Sequence, residues 1–262
     1  MATQLVNPTA SFPGFPVISS GRSAAASPYG LPLSESCVSC KLRNNSFFCA
    51  LPSASISGLE RIKHVNSFPA GAVVFLEGQT PRGVYILCQG RAKLTTTSAD
   101  GKTMILKIAE PGEVLGLHAT ISGRPYELTV EMLQPSQLTF IGRDDFLRFL
   151  KERGDVCLQA AQHLSRDCQS AYDVVRSIGL SHSAPSKLAK LLLQWASGAR
   201  AVNGVLQMKV TLTHEEIAQL IGSSRETVTR ALSSLRKRGV LQLRGSSLTI
   251  RNLPALQALA AD

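Results

Sequence analysis

Aromatic residues make up only 5% of this 262-residue chain, with a single tryptophan, and no stretch approaches the roughly 18 consecutive apolar residues of a bilayer-spanning helix. A helical membrane protein is therefore excluded. The N-terminus lacks both a basic leading region and the continuous apolar segment of roughly 7–15 residues that marks a secretory signal, so the chain is expected in the cytoplasm. Its six cysteines, at 37, 40, 49, 88, 157 and 168, are then expected as reduced thiols or metal ligands, because a cytosolic redox poise disfavours structural disulfides. With 44% hydrophobic residues the chain is long enough for one or two cores, which excludes a peptide hormone or a disulfide mini-scaffold.

Acidic residues are thin in the last third. Residues 181–262 hold 11 Lys+Arg against 4 Asp+Glu, whereas residues 1–180 hold 17 against 14, so most of the net charge of +10 sits in the C-terminal third. A compact basic segment beside a nearly neutral one is the footprint of nucleic-acid binding; a solvated basic surface is the plainer alternative.

Residues 1–33 are rich in Pro, Ser, Ala and Gly, carry Arg22 as their only charge and show no periodicity, which predicts a disordered leader. From about Phe68 to Arg143, short apolar runs such as Ala72–Leu76 and Gly83–Leu87 alternate with Gly and Pro turns. That texture predicts an antiparallel barrel or jelly roll. Asp100-Gly101, between Lys93–Thr97 and Thr103–Ala109, predicts a hairpin turn because Gly tolerates positive φ.

From Asp144 onward the period is helical. Cys157, Ala161, Leu164, Cys168, Ala171, Val175 and Ile178 fall at alternating spacings of 4 and 3, an a/d seam. Such a stripe packs either against its own copy in a homodimer or into an intramolecular core. Lys187–Trp195 predicts a further amphipathic helix. Thr213-His-Glu-Glu216 then offers a capping box, Gly222 a helix stop, and Ser223-Ser-Arg-Glu226 a second box. The helix after it is expected to bury Val228, Ala231, Leu232 and Leu235, and two short helices about a Gly turn describe a helix-turn-helix. Val240–Leu243 and Leu248–Ile250, flanking Gly245-Ser246, predict a small β-wing.

At 212–239, LTHEEIAQLIGSSRETVTRALSSLRKRG, the chain resembles the winged helix-turn-helix of the CRP/FNR superfamily of bacterial transcription regulators, most specifically at 222–230. GVYILCQGRAKL (83–94) and ADGKTMILKIAEPGEVLGL (99–117) are similar to that family's cyclic-nucleotide-type β-roll, and 154–179 to its dimer helix. The resemblance implies an α+β protein: a cysteine-containing segment and β-roll over 34–150, a dimerisation helix over 151–180, the DNA-binding domain over 181–254, and a tail over 255–262. It also implies a homodimer that binds an inverted repeat in double-stranded DNA and engages RNA polymerase. On the recognition helix, Ser224, Arg225, Glu226, Thr229 and Arg230 are the expected DNA contacts, and Lys237 and Arg238 are expected on phosphates. Arg225, Glu226 and Arg230 suit G·C pairs, since Arg pairs bidentately with guanine and Glu accepts from cytosine. Their Arg-Glu-x-x-x-Arg order resembles the CRP type, which reads TGTGA-like half-sites.

An enzyme is not expected, for the roll contains His118 as its only histidine and no catalytic triad or Walker-type motif occurs. No cyclic nucleotide is expected either: Leu117 and Tyr126 stand where the family's ligand-binding Glu and Arg belong. A shifted match using Gly112-Glu113 with Arg124 puts Pro125 where the family has a hydroxyl residue. Cys37-x2-Cys40-x8-Cys49 resembles the cysteine group with which FNR-type members hold an oxygen-labile iron–sulfur cluster. The family's fourth cysteine falls at about Thr139 here, so Cys88 is the expected replacement. Zinc, a thiol switch and unliganded cysteines are the open alternatives.

Overall fold

The computed structural model describes residues 29–31, 36–43, 48–180, 183–197, 200–202 and 205–261. The leader over 1–33, apart from Tyr29–Leu31, lies outside the described residues.

Alternating apolar residues and Gly turns produce two antiparallel four-stranded sheets. One runs β1 (Lys63–Phe68), β8 (Ser136–Gly142), β3 (Gly83–Gln89), β6 (Val114–Leu115); the other runs β2 (Val73–Phe75), β7 (Thr129–Met132), β4 (Ala92–Thr97), β5 (Thr103–Ala109). The predicted hairpin forms between β4 and β5, with Gly101 at φ +82° and the Ser98 N–H bonded to the Lys102 carbonyl at 3.0 Å. Period-2 alternation sorts the side chains of β3. Leu87 packs between the sheets with Leu138 and Met132, while Val84 and Ile86 face a layer formed by α1 (Ser53–Ile62), α3 (Arg143–Glu152) and α4 (Gly154–Leu180). The short α2 (Leu117–Ser122) follows β6.

α4 starts three residues later than the expected 151, because Arg153 takes an extended conformation that ends α3 first. At 27 residues it runs about 40 Å. Its inner face carries the buried Val156, Ala160 and His163, with the His163 ring accepting the Val114 N–H at 3.3 Å. The Ser55 hydroxyl of α1 donates to Asp155 in the first turn of α4 at 2.5 Å. The seam lies on the other side: Cys157, Ala161, Cys168, Ala171 and Val175 are exposed, and only Leu164 packs against the core under α1. Within this chain the stripe is therefore not a core stripe. The Ile178 side chain lies outside the described residues.

The C-terminal domain packs α5 (Ala184–Ser197), α6 (His214–Ile221), α7 (Arg225–Lys237) and α8 (Leu253–Ala261) with a sheet ordered β11 (Leu241–Arg244), β12 (Ser247–Ile250), β10 (Val205–Lys209), β9 (Arg200–Val202). Leu188 and Leu192 of α5 meet Ile217, Val228, Leu232 and Leu235 in its core. Two expectations are corrected. Residues 255–262 are not a tail: the chain is helical to Ala261, and the fully buried Leu256 anchors α8 to the core. The second capping box does not form either, because Ser224 and not Ser223 takes the extended cap conformation and accepts the Thr227 N–H at 3.2 Å. The first box forms as expected, between Thr213 and Glu216. The second Glu216 oxygen lies 3.6 Å from Lys93 of β4, an ion pair joining the roll to the helix-turn-helix. Among the described residues no helix is long and apolar enough to cross a membrane.

Candidate nucleic-acid interface and cysteine site

Gly222 in the left-handed region stops α6, and two residues later the Ser224 cap starts α7, so the pair is joined by a tight turn. The period of 3.6 then divides α7. Val228, Ala231, Leu232 and Leu235 are buried, and Ser224, Arg225, Glu226, Thr229 and Arg230 are exposed on the other face. The helix runs about 20 Å over its 13 residues, and its diameter of about 10–12 Å with side chains fits the roughly 12 Å width of the DNA major groove. A groove of about 390 Å³ runs along Thr229, Arg230, Ser233, Ser234, Lys237 and Arg238. Of the expected contacts, Thr229, Arg230, Lys237 and Arg238 line it together.

Two hydroxyls on this face are already engaged. Ser224 caps the helix, and Thr229 Oγ1 donates to the Arg225 carbonyl at 2.8 Å while meeting His214 Nδ1 at 2.9 Å. His214, the first residue of α6, was not singled out from sequence. Its place directly after the Thr213 cap was the available signal. Hydrogen bonds from its own backbone N–H and the Ser224 hydroxyl, with Arg225 and Arg230 nearby, hold the Glu226 carboxyl below its ordinary pKa. Glu226 is thus a carboxylate at a helix N-terminus, where the helix dipole favours negative charge.

The cysteines lie in two parts of the fold. Cys37 packs against the core that includes Ile56 and Leu59 of α1, and Cys40 and Cys49 are half-buried. Cys88 is the extra residue of a β-bulge, since Leu87 pairs with Leu138 but Gln89 with Gln137. The bulge places its sulfur 3.3 Å from Thr139 Oγ1, the neighbour on β8. Burial pushes the Cys88 thiol up to about 11; the Thr139 hydroxyl bond works against this, and Cys37, Cys49 and Cys40 add to the rise. Cys37, Cys40 and Cys49 thus each lie within electrostatic range of Cys88. A set of four thiols is the soft donor set that suits iron–sulfur clusters or zinc. Among the described residues, no three Cys, His, Asp or Glu side chains stand at metal-coordinating spacing. The donors fit by chemistry and neighbourhood, and ligation requires them to draw closer.

Sequence reading missed Glu60 and Lys63. Glu60 accepts the Cys37 N–H at 2.6 Å, and Lys63 Nζ lies 3.2 Å from Cys37 Sγ. Burial raises the Glu60 pKa, but bonds from Cys37, Ser36 and Val38 and the Lys63 charge outweigh it and hold the carboxyl below its ordinary value.

The cyclic nucleotide-binding domain family matches residues 65–153, and the Crp-like helix-turn-helix domain family matches residues 186–259. The chain belongs to the CRP/FNR superfamily of transcription regulators. It is 28% identical over 210 residues to a CRP-like cAMP-activated global transcriptional regulator of Mycobacterium tuberculosis, covering 80% of this chain and 93% of that one. It is 25% identical to the nitrogen fixation regulation protein FixK of Bradyrhizobium diazoefficiens, over 88% and 96% of the two chains. The solved structure of FixK2 from Bradyrhizobium japonicum shares the fold, with a TM-score of 0.67 at 23% identity over 77% of this chain and 98% of that one. The protein is accordingly a DNA-binding regulator and not an enzyme, in a family whose members are typically dimers.

Within this CRP/FNR roll, Leu117 and Tyr126 are buried. The Tyr126 ring stacks on Phe75 with centroids 3.9 Å apart, and its hydroxyl donates to the Gly83 carbonyl at 2.8 Å. Gly116 keeps space for that ring, since a Cβ there would lie 2.7 Å from it.

Proposed function

We propose that the protein is a cytoplasmic, homodimeric regulator that reads an inverted DNA repeat, works with RNA polymerase, and senses oxygen or redox state through an iron–sulfur cluster on Cys37, Cys40, Cys49 and Cys88. The sensory part is supported by the Cys37-x2-Cys40-x8-Cys49 spacing and by the β-bulge that places Cys88 Sγ 3.3 Å from Thr139 Oγ1, at the position where the family's fourth cysteine falls. Cys37, Cys40, Cys49 and Cys88 would be the residues that hold such a cluster, which would supply iron and sulfide that oxygen can oxidise. The protein's own part is to hold the segment around Cys37 on Glu60 of α1, whose Ser55 bonds Asp155 at the start of α4. Ordering of that segment is thereby linked to the dimer helix, and its release weakens dimerisation, an order–disorder switch. The exposed stripe from Cys157 to Val175 supports a second copy as the partner of α4.

Cyclic AMP, named for the mycobacterial relative, is not the expected effector here. A carboxylate and a guanidinium for ribose and phosphate are replaced by Leu117 and Tyr126, and Tyr126 is already bonded within the roll. Anaerobic purification with iron, acid-labile sulfide and zinc analysis tests the sensor. Brown protein that bleaches in air is expected; colourless zinc protein points to a structural metal, and micromolar cyclic AMP binding by calorimetry overturns the ligand assignment. A randomised-site selection is expected to return an inverted repeat of G·C-containing half-sites about one helical turn apart.

A further inference from the structure

A chain of side-chain hydrogen bonds ties the two helices of the helix-turn-helix to each other. His214 is the first residue of α6, directly after the Thr213 cap, and its Nδ1 lies 2.9 Å from Thr229 Oγ1 of α7. Thr229 Oγ1 donates in turn to the Arg225 carbonyl one turn earlier, at 2.8 Å. Both side chains are exposed. Thr229 stands among Arg225, Glu226 and Arg230 on the open face of α7 and shares the groove of about 390 Å³ with Arg230.

A hydroxyl has one proton and two lone pairs. Thr229 gives the proton to the Arg225 carbonyl, so its oxygen accepts from His214, and that bond places a hydrogen on Nδ1 of the imidazole. No proton is left for a base acceptor or a phosphate, and rotation about χ1 would break both bonds. What the exposed side chain still offers is its Cγ2 methyl. Apolar contact with the C5-methyl of thymine is one of the readouts of the major groove, distinct from the G·C contacts that Arg225, Glu226 and Arg230 suit. The remaining Oγ1 lone pair makes acceptance from a base amino group the competing readout.

We propose that His214 is a positioning residue for base readout: it holds the Thr229 hydroxyl against α6 and the α7 backbone, so that Thr229 reads a thymine through its methyl group beside the G·C contacts of Arg225 and Arg230. This rests on the reading of α7 as the base-contacting helix. Specificity at that base pair is then set jointly by a residue on the reading helix and by one on the helix before it.

The test uses the full chain and the duplex returned by randomised-site selection, with each thymine replaced in turn by deoxyuridine, which lacks only the C5-methyl, and affinity read by fluorescence anisotropy at fixed salt. In the wild type one thymine per half-site is expected to be methyl-sensitive, by about three- to fourfold, the worth of one buried methyl group. Thr229→Val keeps the methyl and is expected to keep that sensitivity; Thr229→Ser keeps the hydroxyl and is expected to lose it. His214→Ala is expected to lower the sensitivity while leaving the preference at the G·C positions unchanged, and His214→Asn, whose amide N–H stands in for Nδ1–H, restores it. Both positions are exposed, so the variants are expected to keep the wild-type melting temperature. A defined site whose thymines all tolerate uracil overturns the methyl readout. So does sensitivity lost in Thr229→Val and kept in Thr229→Ser, which makes the hydroxyl the reader. A His214→Ala protein with the wild-type deoxyuridine profile overturns the role of His214. A selection that returns no preferred sequence refutes the reading of α7 itself, a result distinct from a defined site indifferent to uracil.

Discussion

Around α7, Arg225, Glu226, Arg230, Lys237 and Arg238 all stand in water; around Cys37, the two charged side chains that matter, Glu60 and Lys63, are partly or almost wholly covered and paired with each other. Exposed charges cost little in the free protein and exchange their counterions for phosphates when DNA arrives, so the reading head is an open surface whose binding depends on salt. Covered charges are tolerated only with partners in place, so the sulfur site is built as a network in which each group fixes the next. Substitutions should therefore act separately on the first region and cooperatively on the second.

The largest expected effect is at the covered site. Replacing Cys37, Cys40 or Cys49 singly by Ser is expected to abolish iron retention altogether, whereas Cys88→Ser decides whether the bulged strand residue is the fourth ligand. Iron analysis after anaerobic reconstitution reads both, and full iron in Cys88→Ser makes it an ordinary strand residue.

Next comes the seam of α4. Val175, 66% exposed, is expected to yield monomers when replaced by Asp, because an unpaired charge in a desolvated a/d position costs several kcal/mol. Sedimentation velocity checks this, and the monomer should stay folded because Val175 touches no core. Leu164→Asp is expected to damage the fold as well, since Leu164 packs under α1.

On the open surface the effects are smaller and additive. Arg225→Ala or Arg230→Ala should weaken specific binding by about 1–3 kcal/mol and relax one base position in a selection experiment. Lys237→Ala should weaken all sequences alike and lower the slope of log affinity against log salt by about one. The smallest effect is expected where the two regions meet. A double-mutant cycle of Lys93→Met with Glu216→Gln, which keeps the capping box because Gln also serves there, should show about 0.2–1 kcal/mol of coupling in denaturant unfolding. A larger value would mean that the roll grips the reading head more firmly than one partly exposed ion pair allows.

Local order was legible to the extent that neighbouring residues decide it. The buried face of α7, the Thr213–Glu216 box, the Gly222 stop and the strands around Gly101 depend on periods of 3.6 or 2 and on short side-chain bonds. One such reading slipped by a residue: Ser223 and Ser224 are chemically equal caps, and only the turn after Gly222 puts Ser224 in the extended conformation.

The sequence by itself determined the reading head, because a helix face, a cap and a cluster of arginines lie within a few turns of one chain segment. Tertiary structure alone decided which side of α4 is left open, since the spacing of the seam is the same whether it faces a core or a partner. It also decided that residues 255–261 form a helix, because that segment is apolar on most sides and is fixed by burying Leu256 against α5. The sulfur site depended on it most. Cys88 reaches Thr139, 51 residues away in sequence, through a register shift between their strands, and Glu60 and Lys63 meet Cys37 across more than 20 residues. No local period encodes such meetings; they follow from strand register and from where α1 packs.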